Sequence, residues 1–499
     1  MTRAYDLLLA HVREAHLLAS TAALLAWDQE TGMPVGAGDV RARQLALLAR
    51  LQHERNTDPR LGEWLAACEG DAALQHDADA VANVRELRRD HTRATRLPAA
   101  LIAELAATES RAQQAWAGAR RASDFAAFRP WLERMTLLQQ QKADCLRAAG
   151  QTRWDALADL YEPGMRAADL RQVFTPLRER LVALRQRLAH GRTPDPAFAR
   201  VPIDDTRQEA LVRAVATAMG FDFTRGRIDR SAHPFCTSTG GDVRLTTRFH
   251  RDNVLDALGS TMHEAGHGLY EQGLEAAHLG TPLGETVSLG IHESQSRLWE
   301  NHVGRSAGFW QWCWPVAQRH LGSGCDGHTA ASAFAAANRV QPSLIRVEAD
   351  EATYDLHVMV RFELEQDLLT GDLPLADLPA RWNALYRDYL GVEVPDDRRG
   401  CLQDVHWSCG LFGYFPTYTL GNLYAAQFAA AADRALGGLP PLLQRGEFGP
   451  LREWLREHVH RHGRRFPPAE LVQRATGAAL SSTAFLAHLE RKLSAVYEL

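Results

Sequence analysis

Apolar residues recur every three or four positions along most of the chain, with Ala, Leu, Arg and Glu, all good helix formers, filling the pattern. This periodicity predicts helices over 3–26, 39–53, 77–92, 98–119, 124–149, 167–190, 207–218, 252–274, 286–304, 343–370, 376–390, 417–436, 448–461 and 481–496. Breaks fall where Gly and Pro cluster, at 32–38, 191–202, 280–284, 322–327 and 437–441. One segment departs from the helical pattern. Asp242–Phe249 alternates, with Val243, Leu245, Thr247 and Phe249 on one side and Arg244, Thr246 and Arg248 on the other; following Gly240-Gly241, it reads as a strand. No repeat of fixed period and no low-complexity linker divides the chain, so the expectation is a mainly α protein with one domain over 1–499.

Composition narrows the class. With 499 residues, 45% hydrophobic and 23% charged, the chain can bury a sizeable core and is neither disordered nor collagen-like. A balance of 56 basic against 61 acidic residues, formally -5, gives no field for grasping nucleic acid or an anionic membrane, and neither is expected as a partner. The apolar stretch Leu17–Trp27 is 11 residues long and stops at Asp28, short of the roughly 20 that a spanning helix needs. Asp6, His11, Arg13 and Glu14 interrupt any leader-like run. Seven scattered cysteines without a CxxC motif suit a reduced, cytoplasmic protein.

The chemistry concentrates on the helix over 252–274, which carries His263-Glu264-Ala265-Gly266-His267. Residues four apart share a helix face, so two imidazoles can grip one ion while the intervening Glu sits one residue round the helix, near a metal-bound water. A shuffled chain with 21 His and 61 acidic residues would contain HExxH by chance about one time in ten, so the motif needs context; alone, it also fits two histidines satisfied in a core. The context is a pair of stripes. Leu258, Met262, Ala265 and Leu269 form an apolar one, and His263, His267 and Tyr270 a second about 100° round the cylinder. One face can anchor the helix while the next looks into a cleft.

Catalytic zinc takes three protein ligands and keeps one position open. Tyr270 and Gly273 stand where a metzincin needs Gly and His, which excludes that class. A carboxylate from the next helix is the other solution. Glu293, in Ile291-His292-Glu293-Ser294, would return beside the His pair after the turn at 280–284; Glu300, seven residues on, is the alternative. Glu293 could equally be a surface i,i+4 partner of Arg297.

These residues resemble the carboxypeptidase Taq family of metallocarboxypeptidases, and the resemblance runs over nearly the whole chain. Its blocks appear in order: Trp27-Asp28-Gln29-Glu30-Thr31 with Met33-Pro34; His233-Pro234-Phe235; Asp242-x-Arg244-x-Thr246; HExxH at 263–267; His292-Glu293-Ser294; Ile345-Arg346-x-x-Ala349-Asp350; and Gly400-x-x-Gln403-Asp404-x-His406-Trp407. The resemblance implies an almost wholly helical, two-lobed body with a deep central groove and a small β-sheet beside the HExxH helix. It implies release of single amino acids from peptide C-termini with broad side-chain tolerance, one divalent metal ion per chain (zinc, or cobalt in some members), and a homodimer. It makes His263, His267 and Glu293 the metal ligands and Glu264 the general base.

Such chemistry also needs donors for the tetrahedral oxyanion. His406, and Tyr418 in the aromatic stretch 413–418, are the candidates, with ordinary packing the alternative for Tyr418. An exopeptidase must further recognise a free carboxylate, which suits an arginine fork. Arg346 leads: on the helix predicted over 343–370, Arg346, Asp350, Thr353 and His357 form one polar stripe that faces either a wet groove or a buried ladder in which Asp350 holds Arg346. Arg244 and Arg248 come next, on a strand that could itself pair with an extended peptide. His233, before a proline, orients substrate, supports the metal shell or simply shapes a turn. The Trp27–Pro34 block reads as a helix-to-loop corner, and the cysteines as packing residues. The competing readings are a metallo-oligopeptidase or endopeptidase on a similar scaffold, and a non-catalytic helical metal-binding scaffold.

Overall fold

A computed structural model describes residues 3–499. Helices account for most of it, and each predicted helix has a counterpart. Several are longer than their periodicity suggested: the first runs over Arg3–Thr31 and the second over Gly38–Asn56. Six helices have no counterpart in the pattern. Pro59–Glu69, Arg153–Ala158, Ala307–Leu321, Ala330–Ala337, Leu439–Arg445 and Pro468–Thr476 are short or rich in Trp, Pro or Ala, so apolar spacing marks them poorly.

The largest correction concerns 343–370. Its helix begins only at Tyr354; Arg346–Glu348 is a 3₁₀ turn, and 349–353 is irregular. Asp350 explains the break. Its carboxylate accepts the backbone N–H groups of Gln341, Ala352 and Thr353 and the Thr353 hydroxyl, offering this backbone an alternative to a helical ladder. The expected stripe of Arg346, Asp350, Thr353 and His357 therefore does not exist, and Asp350 does not hold Arg346.

The sheet has three short strands: β1 (Gly226–Arg230), β2 (Cys236–Ser238) and β3 (Val243–Thr247), in the order β1-β3-β2. The predicted strand is β3, without its terminal residues. It pairs parallel with β1, Gly226 opposite Val243, and antiparallel with β2, Cys236 opposite Leu245. Both edges of β3 are thus occupied, so β3 cannot take an added peptide strand as its alternation suggested. Arg248 lies beyond the strand and pairs with Asp256. Thr246, on the face expected to be polar and open, is buried and satisfied by Ser231 and Phe235. One sheet face packs on the HExxH helix. On the other, Trp27 of the first helix lies under the guanidinium groups of Arg227 and Arg244, which gives the Trp27–Pro34 corner its anchor.

The principal core joins side chains from Leu101 to Tyr497. A second, small core ties together the N-terminal helices through Tyr5, Leu8, Leu65, Cys68 and Val84. Among the described residues no helix is long and apolar enough to cross a membrane, and all seven cysteines are free.

Candidate metal centre

The HExxH helix runs over Val254–Gly273 and starts where the Asn253 side chain accepts the Asp256 N–H. Its apolar stripe is in the core, with Leu258, Met262, Ala265 and Leu269 all buried. The second stripe divides. Tyr270 is buried too, its hydroxyl accepting the Val287 N–H, while His263 and His267 keep 19% and 12% of their side chains open to solvent. That residual opening is what a site needs if substrate is to reach it.

Glu293 comes from the following helix, Leu289–Arg297, capped by Ser288, whose hydroxyl accepts the Ile291 N–H. Two glycines let this helix come close enough. A Cβ on Gly266 would stand 2.5 Å from the Gln295 carbonyl oxygen, and one on Gly421, in the helix Pro416–Ala435, would stand 2.4 Å from Glu293 Cγ. Glu293 therefore sits in a slot with a bare glycine at its back. After Arg297 the helix widens into a π turn, Leu298–Val303, a feature frequent at functional sites. Glu300 lies in that turn.

His263, His267 and Glu293 offer three ligand atoms within 4.8 Å of one another. Glu293 Oε2 is 3.6 Å from His263 Nε2 and 3.5 Å from His267 Nε2. Bonds of about 2.0–2.2 Å in a tetrahedral shell put neighbouring donors about 3.4 Å apart, so the two separations from Glu293 suit donors that share one small cation. The remaining imidazole nitrogens are committed elsewhere. His263 Nδ1 donates to Glu300 Oε2 at 2.9 Å, and His267 Nδ1 donates to the His292 carbonyl at 3.0 Å. Both Nε2 lone pairs consequently face the cluster, the arrangement that metal-binding histidines require. Glu300, the alternative ligand in sequence, instead orients His263 from behind. Arg297, the expected surface partner of Glu293, does pair with it, but inside the protein: Nε donates to Glu293 Oε1 at 2.7 Å, while Oε2 faces the histidines and accepts from the Ser296 hydroxyl at 3.2 Å.

The charges suit a cation. Burial drives Glu293 up, but Arg297 and the two histidines outweigh it and hold the carboxyl well below its usual range, so it is ionised. Burial, helped by His292, lowers His267 to about 3, leaving a neutral imidazole. For His263 burial also lowers the pKa, but Glu293 and Glu300 outweigh it and raise it, so its surroundings favour positive charge at that edge of the cluster. Burial lifts Glu264 to about 7, in the range a general base needs near neutral pH. The donor set, two imidazoles and one carboxylate, fits a catalytic divalent ion of the zinc type.

A second polar network includes the other predicted residues. His406 Nε2 and the Tyr418 hydroxyl are 3.2 Å apart. Burial, with Arg346 next, lowers His406 to about 3, so it is neutral. Arg346 donates through Nε and Nη2 to Asp404 Oδ1 and through Nη1 to the Tyr354 hydroxyl, and its guanidinium lies 4.9 Å from the Tyr418 ring. Asp404 is shared with the fully buried Arg361. Spacing alone did not mark Tyr354, Asp404 or Arg361; Asp404 does lie in the Gln403–Trp407 block, two residues before His406. Other candidates stand apart. Arg244 is closed onto Asp242 and stacked on Trp27, and the His233 imidazole is exposed, only its carbonyl taking a hydrogen bond, from Ser231.

Comparison with known proteins agrees with this architecture. The sequence model of the carboxypeptidase Taq (M32) metallopeptidase family matches residues 7–493. The chain is 49% identical to thermostable carboxypeptidase 1 of Thermus thermophilus over 506 residues, 99% of each chain. It is 36% identical to carboxypeptidase 1 of Bacillus subtilis over 499 residues, covering 99% of this chain and 98% of that one. Among solved structures, the M32 carboxypeptidase from Deinococcus radiodurans R1 superposes with a TM-score of 0.97 at 43% identity over 100% of both chains. A Pyrococcus furiosus carboxypeptidase superposes at 0.95 with 33% identity over 99% of both.

Proposed function

Because the chain belongs to the carboxypeptidase Taq (M32) metallopeptidase family and is therefore a metal-dependent peptide hydrolase, we propose that it removes single amino acids from the free C-termini of peptides, with broad side-chain tolerance, using His263, His267 and Glu293 as metal ligands and Glu264 as general base. The observation that carries this reading is the convergence of three ligand atoms from two helices within 4.8 Å, with both histidines fixed from behind. Zinc is the proposed ion and cobalt the second choice, on the donor set. When bound, the ion supplies Lewis-acid polarisation of the scissile carbonyl and a more acidic water.

The protein's own residues do the rest. Glu264, poised near neutrality, takes the proton of the attacking water and returns it to the leaving amine. The His406–Tyr418 pair, joined by one hydrogen bond, supplies its remaining donor to the oxyanion. Arg346 receives the substrate carboxylate. A guanidinium has five N–H donors; Asp404 and Tyr354 occupy one on each nitrogen, which leaves one on Nη1 and one on Nη2 for a bidentate contact. Arg244 and His233 would act farther out, on the peptide chain. The free cysteines support a reducing, cytoplasmic setting. The homodimer rests on family resemblance and is checked by light scattering.

Digestion of a mixed peptide set followed by mass spectrometry tests the reading. Free-ended peptides should lose one C-terminal residue at a time, amidated ones should persist, and a chelator should stop the reaction until zinc or cobalt is restored. Internal cleavage of amidated peptides would instead mean an endopeptidase.

A further inference from the structure

Arg297 is not a proposed ligand, and yet it touches two carboxylates of the centre, those of Glu293 and Glu300. Nε donates to Glu293 Oε1 at 2.7 Å and Nη1 to Glu300 Oε2 at 3.3 Å. Glu300 Oε2 is the same atom that takes the His263 Nδ1–H. The guanidinium is fixed on a third side by the Tyr354 ring, 4.5 Å away, and Arg305 closes on the other oxygen of Glu300 at 3.1 Å. Only 15% of the Arg297 side chain meets solvent, so water cannot substitute freely for these contacts. The position follows from the local fold. Arg297 is one helical turn after Glu293, and Glu300 stands three residues on, inside the π turn that begins at Leu298.

We propose that Arg297 is a positioning residue that sets two of the three metal ligands together: directly, by holding Glu293 through Oε1 so that Oε2 alone faces the ion, and indirectly, by holding Glu300 where it orients His263. This rests on the ligand assignment proposed above. The task needs a planar fork. A lysine ammonium is a point charge on a flexible stem and cannot fix two carboxylates in one plane.

The test uses the full chain loaded with Co²⁺, whose visible spectrum reports coordination geometry. Metal affinity is measured by competition with a chromophoric chelator for wild type, Arg297→Gln, Arg297→Lys, Glu300→Gln and the double variant Arg297→Gln/Glu300→Gln. Each glutamine variant should bind the ion about 10–100-fold more weakly, the usual cost of losing a partner of a metal ligand. The double variant should be no worse than Arg297→Gln, because Glu300→Gln cuts one of the two joints that Arg297→Gln already cuts. Arg297→Gln should also alter the Co²⁺ band as Glu293 turns, and lower kcat more than it raises KM; Arg297→Lys should recover at most part of the loss. Wild-type affinity and spectrum in Arg297→Gln, or losses that simply multiply in the double variant, overturn the proposal. If Arg297→Gln does not fold, Arg297→Lys decides by the same two readouts. His267→Ala separates the two levels. If it binds Co²⁺ as wild type does, the ligand assignment itself is wrong and the proposal falls with it; if it loses the ion while Arg297→Gln keeps it, only the clamp is wrong.

Discussion

Replacing Gly421 by Ala places one methyl group against Glu293, the proposed carboxylate ligand, and adds no charge or polar group to the site. The added Cβ would lie 2.4 Å from Glu293 Cγ and 2.7 Å from Glu293 Cβ. Carbon atoms rest about 3.5–4.0 Å apart, so something must move by about 1 Å. The tolerance of a metal–ligand bond is only about 0.2 Å. The Pro416–Ala435 helix is buried along most of its length, which leaves the Glu293 side chain as the part able to yield. Overpacking of this kind costs about 1–3 kcal/mol, which corresponds to about 5- to 160-fold in an equilibrium constant if it falls on metal binding. The assay is equilibrium competition for zinc with a chelator of known strength, alongside peptide turnover at saturating metal. Gly259→Ala is the matched control: it lies on the HExxH helix with nothing within 4 Å of its would-be Cβ, and should keep wild-type metal binding while gaining up to about 1 kcal/mol of helix stability. If Gly421→Ala binds zinc and turns over like Gly259→Ala, the slot behind Glu293 does not set the ligand geometry and the reasoning is wrong.

Glu264→Gln should keep its metal and melting temperature but lose about 10²–10⁴-fold in kcat, the usual share of a general base; full turnover in the metal-loaded variant would remove Glu264 from that role. Arg346→Ala should weaken kcat/KM on free-ended peptides by about 2–5 kcal/mol while metal content stays constant, because the loss falls on a charged contact to substrate; a parallel loss of bound ion would make Arg346 a structural support. Asp355 gives a pH signature. Its Oδ1 accepts from Thr419 and Asn422, its Oδ2 has no partner, and burial raises its pKa from 3.8 to about 7. The folded state therefore holds this proton in a window where the unfolded chain has released it, so wild type loses stability from this group as pH rises from about 4 to 7. Asp355→Asn lacks that loss, and its urea midpoint should gain on wild type across the window; parallel curves would refute the assignment.

The reach of the sequence differed between elements for physical reasons. Long amphipathic helices announce themselves because a buried stripe repeats many times, and the HExxH helix did so with its apolar and histidine stripes at the expected offset. The strand at 242–249 was visible through alternation, whereas β1, Gly226–Arg230, carries Arg and Asp that obscure any period of two. The overextended helix at 343–370 shows how one side chain can defeat periodicity. Asp350 gathers three backbone N–H groups, and the helix waits until Tyr354. Arg346 consequently lies off the helix that its spacing predicts, and its partner, Asp404, is 58 residues away in the chain.

At the candidate metal centre the residue types could be read from spacing and resemblance, but the distances could not, because absences set them. No side chain at 266 allows the Glu293 helix to cross close to the HExxH helix, and none at 421 leaves Glu293 its slot. A one-residue widening after Arg297 then brings Glu300 behind His263. A glycine in a helical pattern reads in sequence as a cost of about 1 kcal/mol with no visible return. Here the return is that three donor atoms stand within 4.8 Å of one another. Packing around those glycines thus brings the two helices to the separation that a shared cation would need. That makes the glycine positions, rather than further polar groups, the places where a single methyl should do the most harm to metal affinity for the least change in charge.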